Sequence, residues 1–112
     1  MRHLVFLLLA VAAVGCGQRF DAEAWKAAAP EHNTVVKRAP MAEDFLRRYD
    51  AVGMSRAEIV GLLGDRDATD KFADYDLVYW LGPERGLVGV DSEWLVIRLA
   101  DGVVTEARIV SD

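Results

Sequence analysis

One cysteine, two histidines and several short carboxylate groupings are the residues of this 112-residue chain whose types could carry chemistry. Cys16 has no second cysteine to pair with, and His3 and His32 supply too little around it for a zinc site. A Ser-His-Asp set would need His32, which stands alone among alanine, proline and polar residues. Asp74 with Asp76, and Asp91 with Glu93, pair carboxylates as a glycosidase does. Each pair, however, alternates along a strand or its edge, where a solvated face ordinarily carries charge. Asp65, Asp67 and Asp70 suggest a calcium loop but lack the central glycine and closing glutamate of an EF-hand. Gly82, Gly86 and Gly89 follow a strand as a phosphate-binding turn would, yet they lead into another strand and have no Gly-Lys-Ser/Thr ending. These residues point away from an enzyme and from a bound metal or cofactor.

Cys16 is better read by its position. The chain opens Met1-Arg2-His3, continues from Leu4 to Val14 without a polar residue, and reaches small residues at Gly15 and Gly17. That run is shorter than the ~20 apolar residues of a membrane-spanning helix, and a basic start with a short apolar middle describes a secretory signal peptide. Ala13-Val14-Gly15-Cys16 resembles the bacterial lipoprotein signal, whose cysteine is lipidated and becomes the first mature residue. The resemblance implies a signal peptide at 1–15, a lipidated tether at 16–40, a folded domain at 41–112, and Cys16 as the lipidation site. Gly17, where Asp would retain the protein at the inner membrane, implies the periplasmic face of the outer membrane. Removing Arg2 with the signal moves the formal net charge from −5 to −6. So acidic a chain is a poor partner for nucleic acid or anionic lipid, and the acyl anchor would hold it at the membrane.

The elements that would position anything else follow in order. Residues 17–40 read as the tether, with one short helical turn around Ala22 to Ala28. Phe20 and Trp25 are unusual there, and either dock against the domain or touch a partner. Met41, Phe45, Tyr49 and Val52 recur at helical spacing, with Glu43 and Asp44 in a first turn, Arg47 and Arg48 late, and an end near Gly53. "GMSRAEIVGLLG" predicts a second helix: Ser55 and Glu58 form a capping box, Met54 and Ile59 a hydrophobic staple, and Gly64 a left-handed stop. "YDLVYWL" alternates as a strand, with Tyr75, Leu77, Tyr79 and Leu81 on one face and Asp76, Val78 and Trp80 on the other.

"EWLVIRL" and "VVTEARIV" flank Asp101-Gly102, a hairpin signal. A two-residue turn carried through would set Glu106 and Arg108 opposite core positions. A three-residue loop, Ala100-Asp101-Gly102, instead pairs Leu99 with Val103, Ile97 with Thr105 and Leu95 with Ala107, and is the expected register. It places Trp94 opposite Arg108 as a cation–π pair on the outer face. The expected fold is α+β, with two helices packed on a three-stranded antiparallel sheet.

From Gly53 onward the chain is similar to the SmpA/OmlA (BamE-like) family of small bacterial envelope lipoproteins. "GMSRAEIVGLLG", "LVYWLG", "EWLVIRLADGVVTEARIV" and the cysteine at the front carry the resemblance. It implies a BamE-like/BLIP-like sandwich and an accessory role, by protein contact, in outer-membrane protein assembly. The loop Gly82 to Ser92 maps to none of that family's contacts. The candidate interaction surface is Trp80 and Trp94 with Arg98 and Arg108 on the outer sheet face, and Glu84 and Arg85 on that loop. A covering N-terminal segment is the alternative for the tryptophans. A rival reading is an inhibitor or ligand-binding lipoprotein on the same fold, which Trp80 and Trp94 lining a concave pocket would favour.

Overall fold

The computed structural model describes residues 19–28, 38–85 and 91–112. The expected signal peptide, together with Cys16, His3, His32 and residues 86–90, lies outside the described residues. Among the described residues three helices precede three strands: α1 (Ala22–Ala27), α2 (Arg38–Arg48), α3 (Arg56–Leu63), β1 (Leu77–Pro83), β2 (Ser92–Ala100) and β3 (Val103–Ser111). The strands form one antiparallel sheet in the order β1-β2-β3. The fold is therefore α+β, as expected, with one helix more than the sequence reading assigned to the domain.

The tether is where the expectation needs correcting. Phe20 and Trp25 belong to the main core with Met41, Phe45, Ile59, Tyr79, Leu95 and Ile97. The packed domain thus reaches back to Phe20 instead of beginning at Met41. α1 is a full helical segment, N-capped by Asp21, whose carboxylate accepts from Ala24 N at 2.9 Å. α2 also starts early, at Arg38, because Pro40 sits in its first turn, where a missing N–H costs nothing. Glu43 and Asp44 consequently lie mid-helix and the first turn holds no acidic residue. The helix stops at Arg48, which leaves Val52 beyond it and 60% exposed.

α3 matches its sequence signature. Ser55 Oγ accepts from Glu58 N at 3.1 Å, and Ser55 N donates to Glu58 Oε1 at 2.9 Å. Gly64 ends the helix at φ +82, ψ −179, a left-handed φ with an extended ψ that is essentially reserved to glycine.

In the sheet, Leu77, Tyr79 and Leu81 face the helices, while Val78 and Trp80 face outward. Tyr75 was expected on the Leu77 face but packs on the outer one. It precedes β1, in a turn closed by Tyr75 N donating to Phe72 O at 2.9 Å.

The hairpin register also differs. Asp101 (φ 53) and Gly102 (φ 75) form a two-residue turn between Ala100 and Val103. A bulge then shifts the pairing between Arg98 and Leu99, so Ile97 faces Ala107 and Leu95 faces Ile109. The extra residue restores the apolar face, which is what the predicted three-residue loop was meant to achieve. As a result Arg108 lies opposite Val96, and Trp94 lies opposite Val110.

The segments flanking α3 close parts of both sheet edges. On the β3 side, Val104 N donates to Met54 O at 2.8 Å and Gly53 N to Val104 O at 2.9 Å. On the β1 side, Asp67 N donates to Val78 O at 2.9 Å, and Asp67 Oδ2 accepts from Trp80 N at 2.7 Å. A short helix therefore does double duty as the clip between two edges that would otherwise present free backbone. Replacing Ser55 with Ala removes one side of the capping box and is expected to cost about 0.5–2 kcal/mol. Urea unfolding of the variant beside the parent measures this, and an unchanged midpoint would contradict the assignment.

Candidate functional site

The outer face of the sheet carries most of the residues singled out as an interaction surface. Trp80 and Trp94 are direct cross-strand partners. Trp94 is nevertheless buried, 7% exposed, so its expected place on an open recognition surface is corrected. The described part of the N-terminal segment, residues 19–28, packs on the helical side of the sheet instead. Phe72 covers Trp94 from the α3–β1 connection, with its ring 5.9 Å from the indole and inclined by 61°. Phe72 has φ +54, a region that bulky side chains avoid, and burial against Trp94 and Tyr75 offsets that cost. Lys71 ion-pairs with Asp112, tying the same connection across the face. The indole Nε1 of Trp94 makes no hydrogen bond among the described residues. Trp80 is half-buried at the rim of this cluster.

Arg98 and Arg108 converge on Tyr75, not on Trp94. Their guanidinium carbons stand 4.1 and 6.0 Å from the Tyr75 ring centroid. Tyr75 Oη donates to Glu106 Oε2 at 3.1 Å and accepts from Arg108 Nη2 at 2.8 Å. Glu106 also takes Arg98 Nε at 3.1 Å and Arg108 Nε at 2.6 Å. Arg108 first, then Arg98, hold its carboxyl below the usual range. The result is an exposed strip of paired charges over one aromatic ring, suited to surface contact and holding its carboxylate ionised.

Glu84 and Arg85 form the neck of the β1–β2 loop. Glu84 N donates to Asp91 O at 2.7 Å. Arg85 bridges two elements, bonding Glu93 Oε1 at 2.8 Å and Glu43 Oε1 and Oε2 at 3.2 and 3.0 Å. Those hydrogen bonds raise the Arg85 pKa, and Arg85 in turn lowers that of Glu43. Arg85 thereby pins the loop neck to α2.

Three of the four paired carboxylates weighed for catalysis are likewise spent on structure. Asp76 Oδ2 accepts from Leu99 N at 2.7 Å, Asp74 pairs with Arg98 at 3.6 Å, and Glu93 is held by Arg85. Among the described residues no three metal-type side chains gather.

The polar centre that sequence reasoning missed lies on the helical side. Arg38, only 4% exposed, donates through Nε to Trp25 O at 3.0 Å and through Nη1 to Asp67 Oδ2 at 3.2 Å. Its guanidinium carbon lies 4.4 Å from the Trp25 ring centroid. Around it two of the last carbonyls of α3, which a helix leaves unpaired, and the carbonyl of the capping Gly64 each find a side-chain donor. Trp25 Nε1 donates to Leu63 O at 2.9 Å, Lys26 Nζ to Gly61 O at 2.8 Å, and Tyr79 Oη to Gly64 O at 2.7 Å. Burial is the main cause that pushes the Tyr79 hydroxyl pKa up, so it remains a donor. A cleft of about 420 Å³ opens here, lined by Lys26, Arg38, Asp65, Arg66 and Asp67 among others. Two smaller hollows, near Leu46 and Tyr49 and near Pro40 and Leu81, have volumes of about 250 and 230 Å³. None of the three is lined by Trp80 or Trp94. The one local signal near this centre was Pro40, which is tolerated in the first turn of a helix and so marks where α2 starts, but it does not announce the buried pairing.

A second buried anion anchors the other end of the N-terminal segment. Asp44 Oδ2 accepts from Phe20 N at 2.7 Å and from Arg48 Nε at 2.8 Å, and Asp44 Oδ1 takes Arg47 at 3.3 Å. Arg48, then the Phe20 N–H, hold the Asp44 carboxyl down at about 2 from an ordinary 3.8. A carboxyl depressed in the folded state adds stability that is full above pH 3.8 and is lost as pH falls through about 2. Asp44→Asn is therefore expected to flatten the fall of stability across that window, as read by unfolding at a series of pH values. An unaltered pH slope would contradict the role given to this carboxylate. No family model, curated protein or solved structure matches the chain.

Proposed function

We propose that this chain is a lipid-anchored protein of the bacterial envelope, held through Cys16 at the periplasmic face of the outer membrane. It works there by protein contact, in envelope or outer-membrane protein assembly, as a relative of the SmpA/OmlA (BamE-like) lipoproteins and without chemistry of its own. The observation that carries this reading is the apolar run Leu4 to Val14 ending in Gly15-Cys16 at the front of a small α+β domain. An acyl anchor accounts for a lone cysteine in a way that disulfide or metal chemistry does not.

The arrangement of the charged groups supports contact over catalysis. Asp44, Asp67, Arg38 and Arg85 tie elements of the fold together. The strip of Tyr75, Arg98, Glu106 and Arg108, with Trp80 at its rim, is the part of the candidate surface best placed to meet a partner, as aromatic and arginine side chains commonly anchor interfaces. A mild-detergent affinity pull-down of the lipidated protein from its native envelope, beside a Cys16→Ser control, tests the reading. Barrel-assembly subunits are expected to be enriched with the lipidated form and absent from the control. Recovery of lipid with no assembly subunit would overturn the assembly role.

A further inference from the structure

Where the chain enters the folded domain constrains how an anchored protein can sit. Phe20 is 7% exposed. Its N–H is held by Asp44 at 2.7 Å, and its carbonyl accepts from Arg48 Nη2 at 3.4 Å. Its ring lies 5.0 Å from Phe45 and 5.7 Å from Tyr49. Between this fixed point and Cys16 stand only Gly17, Gln18 and Arg19. Even fully extended, four residues of chain place Cys16 no more than about 14 Å from Phe20. A domain on so short a leash touches the membrane that holds it.

The surface beside the entry point suits that contact. Tyr49 borders a shallow hollow of about 250 Å³ shared with Leu46, Ala51, Val52 and Ala107 and with one charged residue, Asp50. Val52 is the more exposed of the two large apolar side chains that stand open to solvent among the described residues, at 60% against 41% for Val103. The Arg47 side chain, 68% exposed, projects from the same helix end. An apolar residue beside Tyr and Arg, whose stems are apolar and tips polar, fits the boundary between acyl chains and headgroups. The charged residues next to the entry point and along the end of α2 balance, with Arg19, Arg47 and Arg48 against Asp21, Asp44 and Asp50. Attachment here therefore depends on the leash and on apolar contact, and salt does not release it.

We propose that this end of the helical layer, comprising the Phe20 entry point, Arg47, Tyr49 and Val52, is the face that lies against the bilayer. The inference rests on lipidation of Cys16. Phe20 and Phe45 belong to the core on the helical side of the sheet, whereas Tyr75, Trp80 and Trp94 pack on the other side. Membrane contact through the helices therefore turns the outer sheet face toward the periplasm. The bilayer is the occupant of the hollow because the chain that leaves the structure beside it ends at the lipid within about 14 Å.

Because lipid consumes Cys16, full-length Val52→Cys and Asp74→Cys proteins each carry one reactive thiol. Asp74 is a matched control, with its side chain 72% exposed and close to Arg98 on the outer side. The lipidated proteins, labelled there with an environment-sensitive fluorophore, are placed in phosphatidylcholine vesicles containing headgroup-spin-labelled lipid. Quenching at position 52 is expected to exceed that at position 74 several-fold, to persist in high salt, and to fall when a flexible Gly/Ser insert of about 12 residues separates Gly17 from Gln18. Equal quenching at the two positions, or stronger quenching at 74, in protein whose acyl mass is verified would overturn the orientation. Absence of the acyl mass on Cys16 would overturn the anchoring reading itself, and the mass spectrum tells the two failures apart.

Discussion

Trp25 is buried to 0% exposure at the point where three elements meet, and the helical layer depends on it. Its indole N–H caps the end of α3 at Leu63, its ring meets Tyr79 of β1 at 5.8 Å, and Arg38 at the start of α2 lies over its face. Full burial of such a side chain removes up to about 250 Å² from water, about 6 kcal/mol at 25 cal/mol per Å². Ordering the residues of α1 costs roughly 1–2 kcal/mol each, so the tryptophan alone does not hold a six-residue helix in place. The Phe20 contacts, the Asp21 cap and the donor from Lys26 to Gly61 O make up the difference. Segment and domain stabilise each other.

The same economy governs the buried ions. Arg38 and Asp67 are nearly inaccessible, with side chains 4% and 11% exposed, and a charge so placed is tolerated only when paired and hydrogen-bonded. Asp67 meets this demand twice, since it answers Arg38 and also satisfies the Trp80 N–H on the edge of β1. Asp44 does the same further along α2, taking the Phe20 N–H together with Arg48. Charges that might have been read as a site are consumed in joining the N-terminal segment, α2 and the sheet. The surfaces proposed for contact are the end of the helical layer near Phe20 and the Tyr75 strip on the outer face.

Local signals were legible where they are complete within a few residues. The Ser55–Glu58 box, the turn at Asp101-Gly102 and the alternation of Leu95 and Ile97 all appear in the fold. The hairpin register was not legible, because the requirement for an apolar face can be met by a longer loop or by a bulge, and only packing decides between them. Tyr75 was assigned to the wrong face because the turn with Phe72 breaks the alternation just before β1 begins. The centre around Trp25, Arg38 and Asp67 was invisible for a further reason. Its members are 13 to 42 residues apart, and each looks like an ordinary polar or linker residue until the chain closes. Of the candidate surface, Arg98 and Arg108 are exposed enough to serve, while Trp94 is hidden by a phenylalanine that no periodicity would have placed over it.

The central structural claim is that residues 20–28 belong to the cooperative unit of the domain. Trp25→Ala, followed by denaturant unfolding together with native-state hydrogen exchange, tests it most directly. The account predicts a loss of about 3–5 kcal/mol in global stability, with amides of α3 and β1 losing protection alongside those of α1. Loss of protection confined to residues 19–28, with the rest of the domain as stable as before, would contradict it.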